Sequence, residues 1–283
     1  MQKAFRFGVV TAGQESRSAW IALAQRVEEL GYSSLLMPDV LGTPLAALSA
    51  LAVAATATTT LRVGSYVFVN DYRHPALLAR EIATLDQLSD GRVELGLGAG
   101  NWEHEYQQLG IPFEKPGVRV LRFAEGLSII KQFWSGETVN FSGAYYTITG
   151  LRPVPRPAQQ PHPPILIGSS GRRMLTIAAR EADIIQPTGG DVAEQIGWIR
   201  EAAGERFEHL ELAQSAFGIE LTDGPVAAAP AVRGMWTEPQ PMTTDQAAEH
   251  LSEQRERLGV SYIQIQERQL ENFAPVVARL SGK

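Results

Sequence analysis

Cysteine is absent from the chain, and its absence excludes several kinds of site at once. There can be no disulfide framework, no thiolate nucleophile and no zinc–thiolate centre. Long hydrophobic runs are also missing, whereas a membrane-spanning helix needs about 20 apolar residues. The first residues, MQKAFRFGVV, contain only a strand-length apolar run, which is too short for a signal peptide. We therefore expect a cytoplasmic protein with no membrane partner.

Positive charge is scarce as well. The chain has 25 lysines and arginines against 31 acidic residues, and its formal net charge is -6 at pH 7. No basic stripe is visible, so we expect no nucleic-acid partner. Glu103, His104 and Glu105 are the one compact group of metal-type ligands, but adjacent residues on a helix point in different directions. We expect no metal site.

What the sequence does contain is a regular alternation of strands and helices. Strand-like runs are predicted at residues 5–10, 34–37, 61–69, 92–98, 165–168, 184–186, 215–221 and 262–266. Segments with helical periodicity are predicted at 16–30, 44–57, 118–134, 172–181, 192–205, 244–258 and 269–280, with a further helix that opens at Pro75. Eight strands that alternate with helices predict one α/β domain over residues 1–283, a (β/α)8 TIM barrel.

Two irregular segments interrupt this alternation. Residues 150–164 contain six prolines and form a predicted insertion before the fifth strand, and residues 223–241 form a predicted irregular loop after the seventh. The competing architecture is a doubly wound sheet, whose G-x-G-x-x-G motif belongs after an early strand. Here Gly96 and Gly98 end the fourth strand, and Asn101 occupies the third position of the motif. The barrel is therefore the better prediction.

Small residues dominate two strand ends at the barrel mouth, where barrel enzymes carry their chemistry. The fourth strand ends in Gly98, Ala99 and Gly100, which would present a wall of bare backbone. The fifth ends in GSSG at 168–171 and leads straight into a helix, whose free N–H groups would form an anion cradle. Arg172 or Arg173 could add charge there. Together these ends predict a ligand with a planar ring and a phosphate.

Other polar residues stand at predicted strand ends, and each has a structural alternative. Asp39 follows the second strand but could simply cap the next segment. His104 follows the fourth strand in a first helical turn, where it could be exposed to solvent, and the glycines could serve as turn residues. Gln264 and Gln266 alternate with isoleucines on the last strand, a pattern that turns the glutamines toward the barrel interior.

A longer pattern resembles a known family. The segment RHPALLAREIATLDQLSDGRVELGLGAG, followed by FSGAYYTI, PAQQPHPPILIG and LTIAAREADII, is similar to the luciferase-like monooxygenase superfamily, in particular its deazaflavin (coenzyme F420)-dependent oxidoreductases. The resemblance covers about residues 5–190. It implies a barrel with the coenzyme ring against the third and fourth strands and the phosphate at the helix after the fifth. It also implies a non-prolyl cis peptide, here between Tyr66 and Val67.

The resemblance and the strand ends together define a predicted site. Asp39, Tyr66 and His104 are the predicted catalytic residues. Coenzyme F420 is the expected cofactor, with FMN as the alternative, and a homodimer acting on a small organic substrate is expected. The predicted coenzyme contacts are Asp39, Tyr66, Val67, Gly98, Ala99, Gly100, Asn101, His104, Gly168, Ser169, Ser170, Gly171, Arg172 and Gln186.

Two departures from the family bear on the reaction. Many deazaflavin-dependent members have Asp followed by His at the end of the second strand, where this chain has Asp39 and Val40, and some have Glu where it has Asn101. Valine cannot transfer a proton, so alcohol oxidation is disfavoured. We predict hydride transfer to an activated C=N or C=C bond, with Asp39 shaping the edge of the coenzyme and Tyr66 as the backup proton donor. The alternatives are an FMN-dependent monooxygenase that consumes oxygen and a barrel without catalytic activity.

Overall fold

A computed structural model describes residues 3–224 and 239–283 of the chain. Its strands are β1 (Arg6–Val10), β2 (Ser34–Met37), β3 (Arg62–Ser65), β4 (Phe68–Val69), β5 (Val93–Gly98), β6 (Val139–Ser142), β7 (Thr147–Leu151), β8 (Ile165–Ser169), β9 (Ile184–Pro187), β10 (Glu211–Ser215), β11 (Ile219–Leu221), β12 (Gln240–Met242) and β13 (Val260–Gln266). Its helices are α1 (Arg17–Glu29), α2 (Ala47–Ala57), α3 (Pro75–Leu88), α4 (Glu103–Leu109), α5 (Pro116–Ser135), α6 (Arg172–Glu181), α7 (Val192–Ala203), α8 (Thr244–Leu258) and α9 (Leu270–Leu280).

Parallel pairing closes the central sheet into a barrel of eight staves. The order around the barrel is β3, β2, β1, β13, β10, β9, β8 and β5, and β5 pairs again with β3, while β4 continues the β3 stave. Gly8 lies beside Gln264 where β1 meets β13, and Val63 lies beside Val93 where β3 meets β5. The predicted (β/α)8 barrel is thus confirmed.

Local chemistry at the helix ends explains why the chain changes direction where it does. Ser16 accepts the Ala19 N–H at 3.2 Å and so caps α1, and Thr243 caps α8 in a reciprocal capping box with Gln246. Gly259 ends α8 in the left-handed region at φ 78, which glycine adopts without a steric penalty. Across the described ranges, no helix is both long enough and apolar enough to cross a membrane.

The barrel interior forms its own small core, separate from the larger one between strands and helices. Its apolar members come from five different staves: Leu36, Leu166, Ile184, Ala213 and Tyr262. Because these side chains pack together across the barrel, they identify which face of each strand points inward. The alternate residues, such as Ile263 and Ile265, pack under the helices instead, so the predicted inward direction of Gln264 and Gln266 is confirmed.

A buried ionic cluster occupies the amino-terminal end of this interior. Glu94 on β5 accepts hydrogen bonds from Arg6 at 2.5 Å and from Arg62 at 2.7 Å, and Arg6 also pairs with Glu211 at 2.6 Å. Burial acts to raise the pKa of Glu94, but the two guanidinium groups outweigh it and the pKa is lowered. The charges in the base of the barrel therefore neutralise one another.

The seventh barrel strand is the clearest error of the sequence prediction. The stave is Glu211–Ser215, whereas Ile219–Leu221 pairs with Gln240–Met242 in a separate two-stranded sheet. The predicted strand at 215–221 followed an apolar run, but the true stave carries Glu211 inward to pair with Arg6. A polar interior removes the continuous apolar pattern by which buried parallel strands are recognised.

The two predicted interruptions differ in how far the structure describes them. An antiparallel hairpin of β6 and β7, which was not predicted, leads into the proline-rich residues before β8. The third predicted strand, 61–69, is divided into β3 and β4. Of the loop at 223–241, residues 225–238, with Met235 and Trp236, lie outside the described residues.

Replacing Glu94 tests the basal cluster. Glu94→Gln keeps the shape of the side chain but leaves Arg6 and Arg62 without their shared carboxylate, so we expect the free energy of unfolding to fall by about 3–5 kcal/mol. Urea unfolding at pH 7 measures it. Because the folded pKa of Glu94 is lowered, its stabilisation is complete at neutral pH and is lost as pH falls through that pKa. The variant should therefore lose less stability than the wild type on acidification.

The matched control is Glu29→Gln, which removes one carboxylate from an exposed pair with Arg26. Surface pairs contribute little, so no measurable change is expected. An equal effect of the two substitutions would show that the basal cluster is no stronger than a surface pair.

Candidate functional site

The junction between β3 and β4 forms one wall of the barrel mouth. The peptide bond between Tyr66 and Val67 is cis, as the family resemblance implied. This junction lies very close to β5. A Cβ at Gly96 would come within 2.0 Å of the Ser65 carbonyl oxygen, and a Cβ at Gly98 would come within 2.9 Å of Val67 Cγ2. Both glycines are therefore required by the neighbouring stave, which covers part of the wall that we had expected to be bare.

Gly100 and Ala99 serve the turn that follows β5. Gly100 has φ 77, and a Cβ there would lie 2.0 Å from the Tyr106 hydroxyl oxygen. The Ala99 carbonyl accepts a hydrogen bond from that hydroxyl at 3.3 Å. Asn101, next along the chain, is exposed. The glycine pattern thus has a structural cause at positions 96, 98 and 100.

The glycines at the end of β8 are different, because no group among residues 3–224 and 239–283 explains them. A Cβ at Gly168 would meet nothing closer than 3.7 Å, and one at Gly171 nothing closer than 3.9 Å. The Gly171 N–H donates to Ser169 Oγ at 3.1 Å, and no side chain caps the start of α6. Open space, two hydroxyl groups and uncapped N–H groups at a helix start suit a phosphate group. The predicted cradle of Gly168, Ser169, Ser170 and Gly171 therefore fits the phosphate of a flavin-type coenzyme.

The arginines that follow the cradle point in different directions. Arg172 pairs with Glu201 at 3.0 Å and lies over the Trp198 ring at 5.7 Å, so its guanidinium is turned toward α7 and away from the cradle. The guanidinium of Arg172 thus already has two partners on α7, and its contribution to the cradle stays a prediction. Arg173 lies near the start of α5 instead, where its Nη1 would be 3.7 Å from a Cβ at Gly117.

Tyr66 and Gln186 meet inside the mouth. The Gln186 Nε2 donates a hydrogen bond of 2.5 Å to the Tyr66 hydroxyl, and the Phe217 ring lies 6.2 Å from the Tyr66 ring. Burial raises the pKa of Tyr66 to about 12, and the Gln186 hydrogen bond acts in the opposite direction. Phe217 was not predicted, because it follows the stave that was misplaced in the sequence.

Asp39 is fixed by an arginine that the sequence did not single out. Its two carboxylate oxygens accept bonds of 2.8 and 3.1 Å from Arg73, and Oδ2 also accepts the Val69 N–H at 3.1 Å. A bidentate pair of this kind fixes the orientation of the carboxylate. Asp39 therefore ties the end of β2 to the end of β4, and Val40 beside it offers no proton-transfer group.

A second acidic residue with an arginine partner, Asp71, follows directly after β4. It pairs with Arg122 at 3.0 Å and accepts a hydrogen bond from the Tyr106 hydroxyl at 3.2 Å. The neighbouring Asn70 donates to the Tyr146 hydroxyl at 3.2 Å. Tyr146 lies in the turn of the β6–β7 hairpin, so this hairpin is beside the end of β4. No sequence pattern links these residues, which lie up to 76 positions apart.

His104 is exposed on α4 and stacks on the Trp102 ring at 6.1 Å. The structure gives it no hydrogen bond to another predicted catalytic residue. In the ranges 3–224 and 239–283, no three His, Asp or Glu side chains are grouped so that they could hold a metal ion. The described mouth thus holds the Tyr66 hydroxyl and the Gln186 amide, and also the Glu267 carboxylate just after β13, which accepts hydrogen bonds from Thr11 and Gln14.

Comparison with known proteins identifies the family. The model of the luciferase-like monooxygenase family matches residues 4–276. The chain therefore belongs to the luciferase-like monooxygenase family, and it is an oxidoreductase by that membership.

Individual relatives include users of two different coenzymes. The F420-dependent glucose-6-phosphate dehydrogenase of Microbacterium testaceum is 33% identical over 171 residues, 58% of this chain and 50% of that protein. The FMNH2-dependent dimethylsulfone monooxygenase of Pseudomonas putida is 30% identical over 148 residues, 51% of this chain and 41% of that protein. The chain spans half or less of the length of these two relatives.

Solved structures share the fold at lower identity. The coenzyme F420-dependent tetrahydromethanopterin reductase from Methanopyrus kandleri has a TM-score of 0.82 to this chain, with 99% of both chains covered and 18% sequence identity. The likeness supports the barrel architecture along the whole chain.

Two alanine substitutions distinguish a glycine that packing requires, Gly96, from one that faces open space, Gly168. Gly96→Ala forces a methyl group against the Ser65 carbonyl, so we expect the free energy of unfolding to fall by roughly 1–3 kcal/mol or more. Gly168→Ala makes only ordinary contacts and should leave stability nearly unchanged. Denaturant unfolding of both variants measures this, and a large loss in Gly168→Ala alone would contradict our account of both positions.

Proposed function

We propose that this protein binds coenzyme F420 at the barrel mouth and catalyses hydride transfer to an activated C=N or C=C bond of a small organic substrate. The observation that carries the proposal is the Tyr66 hydroxyl, which is protonated, partly buried and held by Gln186 at the ends of two staves. When bound, the coenzyme supplies the hydride. The protein supplies the binding site, the orientation and a proton donor.

The protonation state of the mouth favours reduction over alcohol oxidation. With a pKa of about 12, Tyr66 keeps its proton at neutral pH, so the form present is the hydroxyl, which can donate a proton, and not the phenolate, which would accept one. Asp39, the carboxylate that follows β2, forms a bidentate pair with Arg73. Reduction of an activated double bond needs a donor, which is present, whereas oxidation of an alcohol needs a base.

Gln186 determines where the Tyr66 proton points. Its amide N–H occupies one acceptor position of the hydroxyl oxygen, so the hydroxyl hydrogen is directed away from Gln186 and is free to be donated to a substrate. Phe217 packs near the Tyr66 ring and limits its movement. A substrate placed in the mouth would therefore meet the hydrogen of Tyr66 rather than its lone pair.

FMN is the alternative coenzyme, and monooxygenation is the alternative reaction. It is favoured by the similarity to the FMNH2-dependent monooxygenase, and the phosphate cradle would suit FMN equally well. Titration of the purified protein with FMN and with F420, followed by fluorescence, separates the two. Binding of FMN alone, with oxygen consumption during turnover, would favour the monooxygenase. The homodimer stays a prediction that the mass of the protein in solution checks.

Gly171→Asp tests the phosphate cradle. The residue before α6 has φ -86, which aspartate adopts easily, and aspartate is a favoured helix cap, so the fold should be kept. Its carboxylate would occupy the free N–H groups and repel a phosphate. We expect coenzyme affinity to fall tenfold or more, about 1.4 kcal/mol.

The control is Gly197→Asp, which adds the same charge at an exposed position of α7 where a Cβ meets no atom within 4 Å. Fluorescence titration should show wild-type affinity for this variant. Unchanged affinity in a folded Gly171→Asp protein would place the phosphate elsewhere.

Tyr66→Phe tests the proton donor. Loss of the hydroxyl should lower the rate of reduction of imines or enones by roughly 10²-fold or more and leave coenzyme affinity unchanged. The wild-type rate should not depend on the ionisation of Tyr66 near neutral pH, because its pKa is about 12. Assays with reduced and oxidised coenzyme against panels of imines, enones and alcohols measure both directions.

His104→Ala serves as the comparison, since His104 is exposed and should not affect reduction. If a simple alcohol reduces the coenzyme rapidly and His104→Ala abolishes that activity, the reductase proposal is wrong and His104 is the base.

A further inference from the structure

Glu267 follows directly after β13, at the carboxyl end of the last stave, and its carboxylate has no cationic partner. Its Oε2 accepts a hydrogen bond from the Thr11 hydroxyl, and its Oε1 accepts one from the Gln14 side-chain amide. Among residues 3–224 and 239–283, no lysine, arginine or histidine forms an ion pair with it. The residue is partly exposed, so it can be reached from solution.

The loop after β1 holds this carboxylate in place. Thr11 Oγ1 accepts the Gly13 N–H at 3.0 Å, so the hydrogen of the Thr11 hydroxyl is left to be donated to Glu267. The Gln14 amide donates to the other carboxylate oxygen. A carboxylate has about four lone-pair positions, and these two donors occupy one on each oxygen. Both oxygens therefore keep the capacity to accept a hydrogen bond from a ligand.

The arginine that follows Glu267 in the chain is engaged elsewhere. Arg268 Nε donates to Gln266 Oε1 at 2.6 Å, and Nη2 donates to the Phe217 carbonyl at 3.0 Å. Its Nη1 also pairs with Glu220 at 3.7 Å. None of these contacts is with Glu267, so the neighbouring guanidinium does not neutralise its carboxylate.

Three other acids near the strand ends are already engaged. Asp39 and Asp71 each have an arginine partner. Glu105 has none, but it is only 3% exposed and accepts a hydrogen bond from the Tyr72 hydroxyl at 2.8 Å. Glu267 differs from all three because it is partly exposed and also lacks an arginine.

The place of Glu267 in the barrel puts it beside the proposed chemistry. The Arg268 contact with the Phe217 carbonyl joins Glu267 to the residue whose ring lies 6.2 Å from the Tyr66 ring. Around the barrel, β13 lies four staves from β5 in either direction, so the two strands are opposite each other. If the coenzyme ring rests on β3–β5, a substrate in the mouth has the ring on one side and Glu267 on the other.

We propose that Glu267 is a specificity-determining residue that binds a protonated amine of the substrate, so that the substrate is a small organic cation. This inference rests on the proposed function and names its substrate class. An ammonium N–H would use the remaining lone pairs of the carboxylate in a charge-assisted hydrogen bond, which is stronger than one between neutral groups. A neutral analogue of the same shape would lack this interaction and would bind more weakly.

Glu267→Gln tests the proposal, since it removes the charge and keeps the length of the side chain. The matched control is Glu271→Gln. Glu271 lies four residues further along, in α9, and pairs with Arg26 of α1 at 2.7 Å on the exposed outer side of the barrel. A general effect of net charge on cation binding would appear in both variants, whereas recognition in the mouth would be lost from Glu267→Gln alone.

The first experiment measures binding by calorimetry to the protein with oxidised coenzyme bound. The probes are tert-butylammonium and tert-butanol, which are similar in shape, differ in charge and cannot be oxidised at the substituted carbon. We expect the wild type and Glu271→Gln to bind the cation at least tenfold more tightly than the alcohol, and Glu267→Gln to bind both equally. Absence of cation binding, equal affinities in the wild type, or a preference that survives in Glu267→Gln would overturn the proposal.

Folding of each variant is checked by circular dichroism and by its Tm. If Glu267→Gln does not fold, Glu267→Met replaces it, because methionine has nearly the same length and no charge. The same preference for the cation is then expected to be lost, and its survival in Glu267→Met would overturn the proposal.

Turnover with reduced coenzyme separates this inference from the proposed function. The substrates are cyclohexenone and its aminomethyl derivative, whose amine is protonated at neutral pH. We expect kcat/KM of the wild type to favour the ammonium derivative at least tenfold, through a lower KM, and Glu267→Gln to abolish that preference. A preference for the cation in binding, without reduction of either enone, would leave the recognition role standing and contradict the reductase. Reduction of both enones with the same kcat/KM in the wild type would support the reductase and contradict the role of Glu267.

Discussion

The close contact of β5 with the junction between β3 and β4 is the constraint on which the mouth depends. The Ser65 carbonyl and the Val67 side chain press on β5, and the contact is possible only because Gly96 and Gly98 have no side chains. This contact sets the position of Tyr66, which then reaches Gln186 across the mouth. A packing requirement between two strands thereby fixes the place of the Tyr66 hydroxyl that the proposed chemistry uses. It also explains a glycine pattern that otherwise suggests only a ligand.

Charge pairing gives the interior its second constraint. The base of the barrel is held by Glu94 between Arg6 and Arg62, and at the mouth Asp39 and Asp71 each have an arginine partner. These pairs hold the carboxylate and guanidinium groups in fixed positions. The Tyr66 hydroxyl and the Gln186 amide, which are in contact at the mouth, are neutral groups suited to the proposed donation of a proton.

The family accommodates several coenzymes and reactions on one barrel, and the relatives of this chain include an F420-dependent dehydrogenase and an FMNH2-dependent monooxygenase. The features that would distinguish them are therefore local. The cradle at Gly168–Gly171 is common to any coenzyme with a phosphate, whereas Val40 and the arrangement of Tyr66 with Gln186 bear on the reaction itself. Residues at strand ends can change chemistry while the barrel stays the same.

The sequence alone determined the barrel, most element boundaries, the cis peptide position by family resemblance and the inward direction of Gln264, because these follow from periodicity, caps and local motifs. Only the tertiary structure decided which side chains meet. Arg73 on Asp39, Phe217 beside Tyr66 and the misplaced stave Glu211–Ser215 had no local signal, since ion pairs and a polar barrel interior join residues distant in the chain. The same reason explains why the glycines of β5 and β8 looked alike in the sequence yet differ in the fold: what a glycine makes room for depends on its neighbours across the sheet, not along the chain.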